Sequence, residues 1–257
     1  SQYVSILPFA AYFGLRDFDG IINFAVAHNE GAYLSNRIRP FFDSSGKPLL
    51  FILLRMGALA FMRDLLPEDL ERTPWESYDP EALLRDVFGG NYWSKAISSS
   101  PRNRLFNQFY WNSTKSLFIV NTRGSKVFAG KIGQDTVMLG GIRVIGRADG
   151  GFVATRLEST AIYNTFLVTA LARAENTNMV WVESTKTQGM MSWGNSPCLM
   201  ESVTYYSLWD ADSLRISKLN GYGDLLTSMV LRRSGQGVNW DIRTGIDSVP
   251  WYRVVAY

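Results

Sequence analysis

A single cysteine, Cys198, and a single histidine, His28, set the first limits on this chain. One thiol cannot close an intrachain disulfide, nor can it build a zinc site on cysteines. One imidazole removes the multi-histidine metal motifs and leaves any Ser-His-Asp arrangement resting on His28 alone. Charge of one sign is scarce too: 26 Lys and Arg against 23 Asp and Glu leave a net +3. With no strong basic cluster, that balance argues against nucleic acid and against an anionic membrane as partners. Long hydrophobic runs are also missing. The most apolar stretch, Pro48 to Met62, is shorter than the roughly 20 residues that span a bilayer, and Arg55 sits in its middle. No transmembrane segment is expected, and the stretch reads as a buried helix. Nor does the Ser1 start show the charged-then-apolar leader of a signal peptide. No cofactor and no metal are expected.

Aromatic residues, by contrast, are plentiful, at 14% of 257 residues. They suit well-filled β cores, and their flat faces also match the apolar faces of sugar rings. The length allows one large domain or two modest ones. A lone Asn-x-Ser/Thr match at Asn112-Ser113-Thr114 is of the kind that chance supplies.

Along the chain the pattern changes character. Tyr3 to Leu15 is apolar without alternation and suits a helix with one broad buried face. Ile21 to Ala27 is a continuous apolar run after a charged turn, the pattern of a strand buried on both faces. A polar loop from His28 to Lys47 leads to an apolar helix from about Pro48 to Leu65. This α/β rhythm leaves one parallel strand without a partner. Residues 67–108 read as a connector, with a short helix over Pro80–Val87. From Phe109 onward, short strands alternate with Gly, Asn and Asp turns. The candidates are Ser116–Asn121, Lys126–Lys131, Thr136–Leu139, Phe152–Glu158, Thr165–Arg173, Met179–Glu183, Cys198–Ser207, Leu214–Lys218, Thr227–Arg232, Val238–Arg243 and Trp251–Ala256. Many short strands with no helical period predict an antiparallel β-sandwich or a pair of small β modules. The fold class expected is α/β followed by all-β, with domains at 1–66 and 109–257 joined by 67–108.

In a parallel α/β barrel the functional side chains lie at the C-terminal ends of strands. Asp17 and Asp19 precede Ile21–Ala27 and are poor candidates. His28, Asn29 and Glu30 follow it, and Tyr33, Asn36 and Arg37 continue the same loop. All six are candidate substrate-binding residues, suited to hydrogen-bonding sugar hydroxyls or shaping a cleft. Each has a plainer reading. His28 as a strand-end cap, Glu30 as a solvated loop acid, and Asn36 and Arg37 as pins for the loop are all compatible with the sequence.

Two stretches carry a resemblance. Tyr12 to Phe24 (YFGLRDFDGIINF), with Asn36-Arg37-Ile38, Phe41-Phe42 and Gly46-Lys47-Pro48, resembles the run into and out of the eighth strand of clan-A-like (β/α)8 glycoside hydrolases. Trp111-Asn112 with Lys115 to Thr122, Leu167 to Trp181, and Trp193 to Pro197 with Glu201 resemble the C-terminal β domain of such enzymes. The resemblance implies the last strand and helices of a (β/α)8 barrel followed by a β-sandwich. It implies carbohydrate as ligand, and as partner the N-terminal part of the barrel, on another chain or on a cleaved or omitted segment. A secreted or periplasmic location is favoured. Glycoside hydrolysis needs two carboxyl groups across the scissile bond. The family places them on the fourth and seventh strands, neither of which is in this chain. No catalytic residue is therefore assigned, and the chain is expected to complete an active site rather than contain one. Two alternatives remain. One is a non-catalytic carbohydrate-binding β-sandwich using Trp193, Tyr205, Tyr206 and Trp209. The other is a single-chain enzyme using Glu175, Glu183 or Glu201.

Overall fold

The computed structural model describes residue 10 and residues 26–33, 36–39, 43–64, 109–112, 117–130, 136–146, 149–184, 186 and 189–257. All but Ala10 of the helix expected over Tyr3–Leu15, most of the strand expected over Ile21–Ala27 and the connector 67–108 lie outside them.

Two helices open the described part, α1 (Glu30–Tyr33) and α2 (Pro48–Leu59), the latter running on through a π-turn at Ala60–Asp64. Pro48 sits in the first turn of α2, where its missing N–H costs nothing and its fixed φ favours the helix. Strands follow at β1 (Phe109–Asn112), β2 (Leu117–Asn121), β3 (Ser125–Gly130), β4 (Thr136–Leu139), β5 (Ile142–Gly146), β6 (Gly150–Ser159), β7 (Asn164–Leu171) and β8 (Ala174–Thr177). They continue with β9 (Val180–Trp181), β10 (Met190–Ser192), β11 (Asn195–Met200), β12 (Tyr205–Trp209), β13 (Ser213–Leu219), β14 (Leu225–Arg232), β15 (Val238–Ile242) and β16 (Trp251–Ala256). A short helix, α3 (Thr244–Asp247), separates the last two.

Eight strands form one sheet in the order β1-β2-β3-β6-β7-β16-β13-β14, and four form a second in the order β15-β12-β5-β4. All pairings among the described strands are antiparallel. The all-β reading of the second half therefore holds, with edges close to those expected. Thr136–Leu139 and Trp251–Ala256 match residue for residue, while Cys198–Ser207 divides into β11 and β12.

The central strands β6 and β7 are buried on both faces. One face, carrying Phe128, Phe152, Phe166, Val168, Tyr252 and Val254, packs on the four-stranded sheet through Val144, Tyr205, Trp209 and Trp240. Edge-to-face contacts order this layer: Phe128 meets Tyr205 at 5.2 Å and Trp240 meets Tyr252 at 5.1 Å. The opposite face, with Val127, Ala129, Val153, Leu167 and Leu171, packs on Leu49, Ile52, Leu53 and Met56 of α2. Each such side chain contributes about 1.5–3 kcal/mol when fully buried. Residues 38–60 and the β strands thus share one core. The layers run helix, sheet, sheet, and the helix side carries the loop that begins at His28.

Candidate functional site

The loop is folded by its own polar groups. Val26 carbonyl accepts from the amides of Ser44 (3.1 Å) and Ser45 (2.9 Å), bringing residues 43–46 back beside its start. Gly46 makes that return possible, because a Cβ there would lie 1.6 Å from the Arg37 carbonyl oxygen. Asn29 Oδ1 accepts from Ala32 N at 2.8 Å, which caps α1 in the ordinary manner of an N-cap asparagine. Ser45 Oγ donates to Ala32 O at 2.7 Å and ties the helix to the returning strand of the loop.

This geometry sets Asp43 against His28. Asp43 Oδ2 lies 2.5 Å from His28 Nδ1, with the carboxylate side chain 3% exposed and the imidazole 54% exposed. Nδ1 donates to the buried carboxylate, which leaves Nε2 as the second hydrogen-bonding atom of a half-exposed ring. A buried acid that fixes one imidazole nitrogen and leaves the other open suits hydrogen bonding to a ligand hydroxyl or proton exchange with one.

The loop is also fastened to the β layer. Asn176, 3% exposed on β8, accepts from Ile38 N at 2.6 Å through Oδ1 and donates from Nδ2 to Ile38 O at 2.7 Å. The same Nδ2 donates to Trp193 O at 2.6 Å. Asn36 O accepts from Cys198 N at 2.8 Å, and Arg37 Nη1 reaches Gly194 O at 3.5 Å.

Of the six residues expected to bind substrate, the structure brings His28, Asn29 and Glu30 together on one exposed rim. Asn29 is occupied as a helix cap, Asn36 holds the β layer through its backbone, and Arg37 is half-buried against the β10–β11 turn. Tyr33 ends α1, and its side chain lies outside the described part. Asp43 and Asn176, which give the loop its geometry, were not among the candidates. Neither carries a local signal, since their partners lie 15 and 138 residues away.

Two of the three candidate acids of the β region, Glu175 and Glu201, are held in ion pairs, while Glu183 keeps a buried Oε2 that accepts no hydrogen bond among the described residues. Glu175 pairs with Lys186 at 2.7 Å, and Glu201 pairs with Arg173 at 3.2 Å. Nor do the four candidate aromatics make a solvent-facing row. Tyr205 and Trp209 are 0% and 2% exposed in the core, Trp193 packs against the helix-side core, and only Tyr206, at 40%, is open. Alternation along β12 explains this, because Tyr205, Ser207 and Trp209 share the inward face. Burial, with Glu175 adding to it, pushes the Cys198 thiol up to about 11, which disfavours the reactive thiolate. Among the described residues no group of His, Cys, Asp and Glu is placed to hold a metal ion, and no helix is long and apolar enough to cross a membrane.

A scan against protein-family models, a search of curated proteins and a search of solved structures each return no match.

Proposed function

We propose that this chain supplies the substrate-binding rim and supporting β layer of a glycoside hydrolase, with the catalytic acid pair contributed by the remainder of a (β/α)8 barrel. The observation that carries this reading is the His28–Asp43 pair, a half-open imidazole held by a buried carboxylate on a loop clamped to the β layer. A titratable side chain held by a buried acid at an exposed rim is a candidate for ligand contact. His28 Nε2 would accept from, or donate to, a sugar hydroxyl. Glu30, exposed on the same rim, would take a second. Asp43 acts through His28 and is a positioning residue. The engaged state of Glu175 and Glu201 supports placing hydrolysis elsewhere.

The test titrates the full chain with a panel of oligosaccharides while following the lone imidazole by NMR. The expected result is binding that shifts the His28 resonances, is lost in His28→Ala and proceeds without hydrolysis. Hydrolysis by the chain alone would refute the division of labour. Binding untouched by His28→Ala, or none across the panel, would refute the rim itself.

A further inference from the structure

A second concave site lies on the helix side of the eight-stranded sheet, between α2 and the β13–β14 hairpin, with a volume of about 520 Å³. That is within the roughly 300–1,000 Å³ of ordinary small-molecule sites. Its floor follows from strand register. Leu167, Arg253 and Ser217 pair across β7, β16 and β13, and Trp251 pairs with Leu219 in the adjacent row. All five line the cavity, joined by Arg55 from the exposed flank of α2.

Three features give this cavity a chemistry. Arg55 and Arg253 both face it, and among the described residues neither guanidinium has a carboxylate partner. The described Arg–carboxylate pairs, made by Arg173, Arg233 and Arg243, do not line the cavity. The Trp251 indole is held in place by Nε1 donating to Ile52 O at 3.3 Å, leaving the ring half-exposed at the cavity. The third feature is the hairpin tip. Asn220 Oδ1 accepts from Tyr222 N and Asp224 N, each at 2.9 Å, so the turn is fixed from inside. Gly223, at φ +92°, adopts a conformation other residues rarely take, and Tyr222 stands 94% exposed over the rim.

Two free guanidinium forks recognise a planar carboxylate in bidentate fashion, and a fixed indole with a projecting tyrosine offers flat faces to a sugar ring. We infer that this cavity binds a carboxylate-bearing sugar, a short oligouronate, with Arg55 and Arg253 on the carboxylates and Trp251 and Tyr222 against the rings. The site goes beyond the His28 rim and shares no residue with it, so each is tested by its own variants.

The experiment is calorimetric titration of the full chain with trigalacturonate, with the neutral trigalactoside, and with sodium sulfate at matched ionic strength. Trigalacturonate should bind at least about tenfold more tightly than the neutral sugar, and Arg55→Gln and Arg253→Gln should each weaken it by about tenfold. Tyr222→Ala should weaken it by less, and His28→Ala should leave it unchanged. Both arginines are exposed, so unchanged melting temperatures check the fold, and Arg55→Gln alone carries the test where Arg253→Gln unfolds. Equal affinity for the neutral sugar would overturn the role of the arginines. Sulfate binding as tightly as trigalacturonate would show a bare-anion site and overturn the sugar. Binding unaffected by either arginine variant, or absent altogether, would overturn the site.

Discussion

Replacing Asn176 by alanine should loosen the His28 loop from the β layer at a cost the structure lets one work out. The side chain serves three backbone groups, Ile38 N and Ile38 O, which are buried, and Trp193 O, which is partly buried. Each buried polar group left unpaired costs about 1–3 kcal/mol. Ile38 lies beside exposed Asn36, so water relieves part of the loss, and about 3–5 kcal/mol is expected for Asn176→Ala. For a chain of this size that lowers the melting temperature by roughly 6–20 °C. Amide exchange should speed up selectively over residues 26–46, because the loop loses its anchor while the sheet hydrogen bonds persist. Asn176→Asp sharpens the test. It keeps an acceptor for Ile38 N but points a carboxylate oxygen at two carbonyls that need a donor. Protonation restores one of the two donated bonds, so the folded-state pKa of the new carboxyl is raised above its unfolded value. The deficit is then smaller below about pH 4 than at pH 7, and it grows as pH rises between them. Thermal and denaturant unfolding at pH 4 and pH 7, with hydrogen exchange by mass spectrometry, measure both. A loss under about 1 kcal/mol for Asn176→Ala, or no pH dependence of the Asp deficit, would refute the clamp.

Other outcomes follow from the same geometry. With Nδ1 donating to Asp43, the single imidazole should be the Nδ1–H tautomer, and Asp43→Ala should return it to the Nε2–H form. Long-range ¹H–¹⁵N spectra read this directly, and an unchanged tautomer would remove Asp43 from its positioning role. Asp247 accepts from Tyr252 Oη at 2.6 Å and pairs with Lys218 at 2.9 Å; burial alone would raise its pKa, but these partners outweigh it and lower it. Its contribution is present above the ordinary carboxylate pKa of about 3.9 and is lost as pH falls through the lower folded value, so Asp247→Asn should flatten the acid limb of the stability curve. Cys198, with its thiol near 11, should be thiolate in only about one molecule in a thousand at pH 8 and should alkylate slowly with iodoacetamide until the protein unfolds. Gly46→Ala should be as disruptive as any core truncation, since its Cβ meets the backbone of Arg37, which no rotamer change can move; the soluble yield and melting temperature of this variant decide it.

The strands of the second half were legible wherever turn residues bracketed an apolar run, as at Trp251–Ala256. They were illegible where tertiary hydrogen bonds replace local preference. β8 (Ala-Glu-Asn-Thr) is polar and poor in strand formers, and it persists because Asn176 and its register with β11 hold it. β5 escaped notice because only Gly140-Gly141 separates it from β4, which reads as the tail of one strand. The continuous apolar run in β7 shows the limit of another rule. Burial on both faces is the signature of a parallel strand, yet β7 is antiparallel, covered by a helix on one side and a sheet on the other. At the site, the rim from His28 to Glu30 was visible from its place after an apolar run. Its chemistry was not, because Asp43 and Asn176 reach it only once the chain has folded.

The hydrogen bond from Trp251 to Ile52 spans 199 residues, and the same separation divides α2 from the last strands beneath it. At about 5–20 residues per second on the ribosome, the apolar face of α2 waits roughly 10–40 s for the strand that covers part of it. Val127, Ala129, Val153, Leu167 and Leu171 arrive earlier and cover most of that face, and Leu219 and Trp251 are the late members of the cluster. Synthesis of this protein therefore has a vulnerable window, limited to the flank of α2 that Trp251 closes, and its length is set by chain order. Slow translation, or scarcity of chaperones that hold apolar helices, should lower its yield without any change in the stability of the finished molecule.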